Sequence, residues 1–312
     1  MIARLLRLVF AVQLATALLL GYWLGDLVGF VIVFLIHPTI IAVDFAITRW
    51  AGCRVPPASR LALWKMIHTY GAEVTASLRS FSWAHPYFAH ARSPVPGIPR
   101  QPQAILFIHG YFCNRAIWLP LMRFAARRGF LCEAVTLEPP FAVIENYLET
   151  IERAAAALLS QSESERLVIV GHSMGGIAAR AWMRAFGSDR VARLVTLGSP
   201  HAGTVMAALG HGGNVGQMRR DSAWLSRLME DELTATRSIT TCVYSYHDNI
   251  VAPQTSASLE GAHNIALAGI GHVSLVYDRR VWEIVLAAAQ SNPKPSPISL
   301  AGSFLEDRPI GS

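Results

Sequence analysis

Charge is scarce in this chain of 312 residues: Asp, Glu, Lys and Arg make up 15% of it, against 52% hydrophobic residues. Globular domains carry about 25% charged residues, and the shortage has a location. From Leu8 to Val43 the only carboxylate, amine, guanidinium or imidazole side chains are Asp26 and His37. Cysteine is sparse as well. Cys53, Cys113, Cys132 and Cys242 stand far apart with no C-x-x-C pair, which argues against a disulfide framework or zinc site and fits a reducing compartment. The net charge is +6, yet the basic residues are scattered and arginine dominates. There is no Lys/Arg-rich block, zinc spacing or RNA-binding signature, so nucleic acid is not an expected partner. No internal repeat is present, and neither a metal nor a cofactor is expected.

Two apolar stretches open the chain, Leu8 to Leu24 and Leu27 to Val43, 17 residues each. At ~1.5 Å per residue each spans ~26 Å, just short of the ~30 Å hydrocarbon core of a bilayer. Gly25-Asp26 offers a polar turn between them, and His37-Pro38 is expected to kink the second or end it early. Arg4 and Arg7 before an apolar run also fit a signal peptide. No small-x-small cleavage site follows, however, and a second apolar stretch begins at once, so a retained anchor is the better reading. Arg4 and Arg7 precede the first stretch, and Arg49, Arg54, Arg60 and Lys65 follow the second. By the positive-inside tendency this favours a hairpin with both ends in the cytoplasm, and the expected location is a bacterial inner membrane with the rest of the chain on the cytoplasmic side. If only one stretch spans, that part faces outward.

Arg60 to Phe81 reads as a helix, with Leu61, Trp64, Ile67 and His68 at helical spacing and Arg60, Lys65 and Glu73 elsewhere. It either packs on the catalytic part or lies on the bilayer with Trp64 and Trp83 at headgroup level. Residues 93–102 are too proline-rich for a helix or central strand and read as a stiff linker. The organisation is thus an anchor over residues 1–50, a juxtamembrane helix and linker over 51–102, a catalytic domain over 103–290 and a flexible tail over 291–312.

From Gln103 strands and helices alternate, the mark of an α/β domain with a mostly parallel sheet and helices on both faces. About six strands are expected, at Ala104–Ile108, Phe130–Leu137, Leu167–Val170, Val191–Leu197, Thr240–Ser245 and Asn264–Ala268. Helices are expected at Ala116–Arg128, Ala142–Leu159, Ile177–Phe186 and Arg279–Gln290. Residues 200–236, glycine- and charge-containing, read either as a cap or as a plain surface excursion.

Gly171-His172-Ser173-Met174-Gly175-Gly176 contains Gly-x-Ser-x-Gly, a pattern with about 0.1 chance matches in a chain this long. Its setting makes it specific, because it follows an apolar strand and opens a helix. A nucleophile elbow needs that arrangement: the sharp turn strains the serine backbone, and neighbours two residues away must lack Cβ. A serine hydroxyl also needs a base, and the base an orienting carboxylate, in the chain order Ser, Asp or Glu, His. Asp248 follows one late strand and His272 the next. Asp189, at the wrong end of its strand, Asp221 and Asp231, in a charged helical region, and Glu260 are weaker candidates for the acid; His201, His211 and His263 are weaker for the base because they miss the strand end, and His247 adjoins Asp248. His247 could serve beside Asp248 in the pocket or behind it. Backbone N–H groups for a tetrahedral oxyanion are expected from Met174 and from Tyr111 in His109-Gly110-Tyr111-Phe112, with Phe112 as the alternative. His109 reads as a loop-stabilising hydrogen bonder. Phe112, Trp118 and Val251, with Phe141 and Met206, are apolar candidates for an acyl pocket.

Together these segments resemble the small secreted bacterial triacylglycerol lipases, a minimal α/β-hydrolase family. The likeness runs over roughly Gln103 to Gln290. It is carried by Ile108-His109-Gly110, the Ser173 motif, Val195-Thr196-Leu197-Gly198-Ser199-Pro200 and the stretch from Val243 to Tyr277, including Asp248-Asn249-Ile250-Val251 and Gly271-His272-Val273-Ser274-Leu275. The resemblance implies Ser173, Asp248 and His272 as a triad, with Tyr111 and Met174 forming the oxyanion hole. The apparent anchor and the segment after Pro200 depart from that family, so substrate preference does not transfer. The expected activity is that of a membrane-anchored serine esterase or lipase acting on acyl esters. The same triad would serve an acyltransferase or thioesterase, and a non-catalytic membrane-bound binding protein is the reading from another class.

Overall fold

The computed structural model describes residues 1–97 and 101–291. Positions 98–100 of the expected linker and 292–312 of the expected tail lie outside the described residues.

Six strands form one parallel sheet: β1 (Ile105–Ile108), β2 (Cys132–Val135), β3 (Leu167–His172), β4 (Val191–Leu197), β5 (Thr240–Ser245) and β6 (His263–Leu267), in the order β2-β1-β3-β4-β5-β6. β1 and the Leu167–Val170 part of β3 are unbroken apolar runs because both faces are covered, as parallel sheets require. Alternate side chains of β1 go to opposite cores. Ile105 and Phe107 join Trp118 and helices α4 (Leu119–Ala126) and α8 (Arg279–Gln290) on one face. Leu106 and Ile108 meet α5 (Leu148–Leu159) and α6 (Met174–Phe186) on the other. From β1 the chain moves outward to β2 and returns to β3 on the far side of β1. The loops after β1 and β3 therefore diverge and leave a crevice at the carboxyl ends of the strands, where open α/β sheets place their sites.

Before the sheet come α1 (Ile2–Leu24), α2 (Asp26–Ala51) and α3 (Leu63–Ser77). The first two pack as an antiparallel hairpin about Gly25 (φ 96°), the one residue between them. They run for 23 and 26 residues, about 35 and 39 Å at ~1.5 Å per residue. Each is thus long and apolar enough to cross a membrane, not just short of it as the apolar stretches alone imply. The difference lies in their ends, where Arg4, Arg7, Asp44 and Arg49 continue the helices beyond the apolar runs. Nor does Pro38 end α2, which continues to Ala51. A proline lacks only its own N–H, and one missing bond does not stop a helix whose neighbours hold it. The Tyr70 hydroxyl of α3 donates to the Pro38 carbonyl at 2.9 Å.

Helix α3 turns its faces opposite to a soluble surface helix. Thr69, Glu73, Ala76 and Ser77 are buried, whereas Leu63, Trp64 and Ile67 are exposed. A π-helical turn over Leu78–Ala84 continues it.

Residues 200–236 carry short helical turns and α7 (Ala223–Glu230). Val215, Met218, Leu225 and Leu228 are buried in the core under α5 and α6. Just past α7, Glu232 takes two hydrogen bonds from the buried Arg180 guanidinium of α6, at 2.7 and 2.8 Å, and a third from Arg237 at 3.1 Å. With the Arg180 and Glu232 side chains 0% and 4% exposed, removing the carboxylate strands a charge in the interior. Glu232→Ala should therefore lower unfolding free energy by about 3–5 kcal/mol, measured by denaturant unfolding of the detergent-solubilised chain.

Candidate active site

β3 runs straight into the Ser173 turn and α6 starts at the next residue. Ser173 takes φ 55° and ψ −126°, a conformation that costs an L residue of order 1–3 kcal/mol and persists only where its surroundings enforce it. They do so closely. The Ser173 N–H donates to the Leu197 carbonyl at 2.8 Å, and its own carbonyl accepts from Gly176 at 3.1 Å. A Cβ on Gly171 would lie 2.5 Å from Gly176 Cα, and one on Gly175 would lie 2.2 Å from the Ile108 oxygen. Strand, turn and helix thus meet at separations only glycine allows, and the serine is held at the positive end of the α6 dipole.

Asp248 and His272 come from the loops after β5 and β6. Asp248 is 2% exposed. Its Oδ1 accepts from the N–H groups of Ile250 and Val251, both at 2.8 Å, and its Oδ2 from His272 Nδ1 at 2.8 Å. The His272 N–H donates to Asn249 Oδ1 at 3.0 Å. Burial alone would push the His272 pKa down, but Asp248, and beyond it Glu73, outweigh burial and hold it above 6.5. His172 is different. Burial, then the neighbouring His272, drives its pKa well below 6.5, so it is neutral and its Nε2–H can donate to the His272 carbonyl at 3.1 Å.

The end of β4 touches all three residues. Leu197 binds the Ser173 N–H, and a Cβ on Gly198 would sit 3.0 Å from Asp248 Oδ2 and 3.3 Å from His272 Nδ1. Ser173 Oγ and His272 make no hydrogen bond among the described residues, a common state of such pairs before substrate binds.

After β1, His109 Nδ1–H donates to the Gly110 carbonyl at 2.8 Å, and Nε2 accepts from the Leu137 N–H at 2.9 Å. Burial lowers its pKa to about 4, so it is a neutral brace. A Cβ on Gly110 would approach Ser173 Cβ to 2.8 Å, which sets this loop over the serine. Phe112 has φ 56°. The backbone N–H groups of Tyr111, Phe112 and Met174 have no acceptor among the described residues. Phe112 stacks on Phe141, with ring centroids 6.0 Å apart, and on Phe81 at 6.3 Å.

Met206 is half-buried, and two further apolar candidates are not brought to this surface. Trp118 is 0% exposed beneath the sheet against Phe107, and Val251 is 1% exposed beside Tyr244 and Ala257. His201, considered as a base, is buried between Arg180 and Thr196 at 3.1 and 3.0 Å.

Glu73 was missed. It reaches the histidine loop from α3, is 1% exposed, and accepts from the N–H groups of Val273 and Ser274 at 2.8 and 2.9 Å. Burial raises its pKa, and those two donors pull it back. A Cβ on Gly271 would lie 2.4 Å from its Oε2. A sequence signal exists in hindsight: Gly71-Ala72-Glu73-Val74-Thr75-Ala76-Ser77 is a run of mostly small residues around one carboxylate, suited to close packing. On the same side His85 Nδ1 and Asn114 Oδ1 lie 3.0 Å apart, and Asn114 donates to the His85 carbonyl at 2.9 Å. The segment after α3 thereby grips the loop that follows β1.

The sequence profile of the PGAP1-like alpha/beta domain matches residues 142–271. The mature lipase BlEst2 of Bacillus licheniformis superposes with a TM-score of 0.55 at 15% identity, over 63% of this chain and 95% of that one. Its propeptide form gives 0.54 at 15%, over 65% of this chain and 54% of that one. Aspergillus fumigatus lipase B gives 0.54 at 16%, over 70% of this chain and 63% of that one. The chain thus spans less than two thirds of the latter two. At these identities the likeness establishes the fold alone, which is the α/β-hydrolase fold seen in those lipases.

Removing the Glu73 carboxylate leaves two buried N–H groups without an acceptor, at about 1–3 kcal/mol each. Thermal unfolding of the full chain should therefore rank wild type above Glu73→Gln, which keeps one acceptor, and Glu73→Gln above Glu73→Ala.

Proposed function

We propose that this α/β-hydrolase is a membrane-anchored serine esterase that cleaves carboxylic esters of acyl chains through an acyl-enzyme. The observation that carries the reading is Ser173, held at positive φ on a strand–helix elbow whose supporting strand end also contacts the Asp248–His272 pair. In this mechanism His272 Nε2 takes the Ser173 proton as Oγ attacks the ester carbonyl. Asp248 fixes the tautomer through Nδ1 and stabilises the imidazolium that forms. The oxyanion meets the N–H of Met174 at the head of α6 and that of Tyr111, or of Phe112, from the loop after β1. His272 then protonates the leaving alkoxide, and a water activated by the same imidazole releases the acid. Phe112 and Phe141 offer an aromatic wall suited to an acyl chain.

The anchoring rests on α1 and α2, whose exposed Leu8, Leu19, Phe30 and Phe34 suit lipid contact. Arg4, Arg7 and Arg49 gather at the hairpin end that carries the catalytic domain, which by the positive-inside tendency is the cytoplasmic side. Alkaline carbonate extraction should leave the chain in the membrane fraction, and release into the supernatant would sink the anchoring.

A fluorophosphonate probe should label wild type and not Ser173→Ala. Absence of labelling in wild type, or equal labelling of both, would overturn the esterase reading. Turnover of p-nitrophenyl esters should fall by about 10⁶ in Ser173→Ala and by about 10⁴ in Asp248→Asn. A panel of ester chain lengths, thioesters and alcohol acceptors separates hydrolysis from thioester cleavage and acyl transfer.

The base works only when neutral. Because carboxylates hold the His272 pKa above 6.5, activity should be lost as pH falls through a midpoint above that value, and Glu73→Gln should move the midpoint down. A pH–rate profile of each checks this.

A further inference from the structure

A second cavity, of about 930 Å³, lies where α2 meets the catalytic domain. Ser173, Phe112 and Phe141 do not line it. It shares only Asp248 with the candidate active site, and both oxygens of that carboxylate are already committed to Ile250, Val251 and His272. Three arginines line this one space: Arg49 from the last turn of α2, and Arg54 and Arg60 from the segment before α3. None of the three forms an ion pair or side-chain hydrogen bond among the described residues. Uncompensated guanidinium groups around a concave surface are what a phosphate ester requires, since each offers a planar fork of donors.

The remaining lining has the complementary character. His247 accepts the Gly269 N–H through Nδ1 at 3.2 Å, so its neutral ring carries the proton on Nε2 as a further donor. Phe45, Leu61 and Met66 form an apolar wall. Trp50, 89% exposed at the end of α2, suits the headgroup level of a bilayer. A helix that crosses the membrane leaves the hydrocarbon at about this turn. The cavity therefore lies at the level of lipid phosphates.

We propose that this cavity binds the headgroup of an anionic glycerophospholipid, with Arg49, Arg54 and Arg60 on the phosphate and Phe45, Leu61 and Met66 against the glycerol and upper acyl carbons. The proposal rests on the membrane anchoring inferred above and is independent of the esterase chemistry. Its floor is Gln254, which accepts the Cys53 N–H at 3.0 Å and donates to the Asp248 carbonyl at 3.1 Å. The occupant thus sits directly against the acid loop, whose His247 and Asp248 line the cavity.

The test uses the full chain in a non-ionic detergent and measures binding of dihexanoyl phosphatidylglycerol, dihexanoyl phosphatidylcholine and inorganic phosphate by microscale thermophoresis. Wild type should bind the anionic lipid saturably and more tightly than either of the other two. The triple variant Arg49→Gln, Arg54→Gln, Arg60→Gln should bind it on the order of a hundredfold more weakly, about fivefold for each arginine. Equal binding by wild type and triple variant, or no saturable binding by wild type, would overturn the proposal. Phosphate bound as tightly as the lipid would overturn the lipid assignment and leave an anion site. Unchanged thermal unfolding and fluorophosphonate labelling of the triple variant show that it has folded. Single Arg→Gln variants, measured alongside, keep the test decisive if the triple variant does not fold. Carbonate extraction reports on the anchoring separately, and probe labelling on the esterase.

Discussion

An imidazole can take a serine proton only if its other nitrogen is fixed and the loop that carries it stays in place. Both conditions converge on His272. Asp248 fixes Nδ1 at 2.8 Å and is itself saturated by two backbone donors of its own turn. Asn249 holds the His272 N–H and His172 holds its carbonyl. Glu73 then binds the two N–H groups that follow. Successive backbone positions around one residue are thus tied to three different parts of the chain. The proposed chemistry depends on that loop more than on any other, because the serine turn is already constrained by the packing of strand against helix.

The Glu73 contact changes how the molecule divides. By sequence the catalytic unit begins near residue 103, after a proline-rich linker. By contacts α3 is joined to it: its Glu73 carboxylate braces the His272 loop, Phe81 stacks on Phe112 and His85 meets Asn114. The buried side of α3 is polar because it meets loop backbone, which needs acceptors, and not the apolar face of a sheet. Its exposed side is apolar, with Leu63, Trp64 and Ile67 turned outward. For a protein held at a bilayer, that inversion sets the helix between lipid and active site.

Much of the fold was legible in sequence, for a physical reason. Parallel strands buried on both faces are rich in apolar and β-branched residues, so Ile105–Ile108 and Leu167–Val170 stand out in the sequence. The Ser173 elbow was legible because its close contacts leave no alternative to glycine. Spacing after the last two strands pointed to Asp248 and His272, which the fold brings together. Glu73 was not legible, since helical periodicity says which side is apolar but not that the polar side will be buried. Trp118 and Val251 show the converse: an apolar residue near a motif reads equally as pocket or core, and both lie in the core. Pro38 misled because a local propensity was weighed without the long helix around it.

On the proposed anchoring, the hairpin has a further consequence in the way the chain would enter a bilayer. Gly25 alone separates α1 from α2, and Asp26 is the one ionisable residue at the tip. Crossing and returning therefore carries almost no polar backbone to the far side: one peptide turn and a single carboxylate. In that topology the sheet and its helices stay on the side where synthesis delivers them. Two helices entering together as a closed pair need no domain translocated, and the folded catalytic part can remain beside the surface that feeds it.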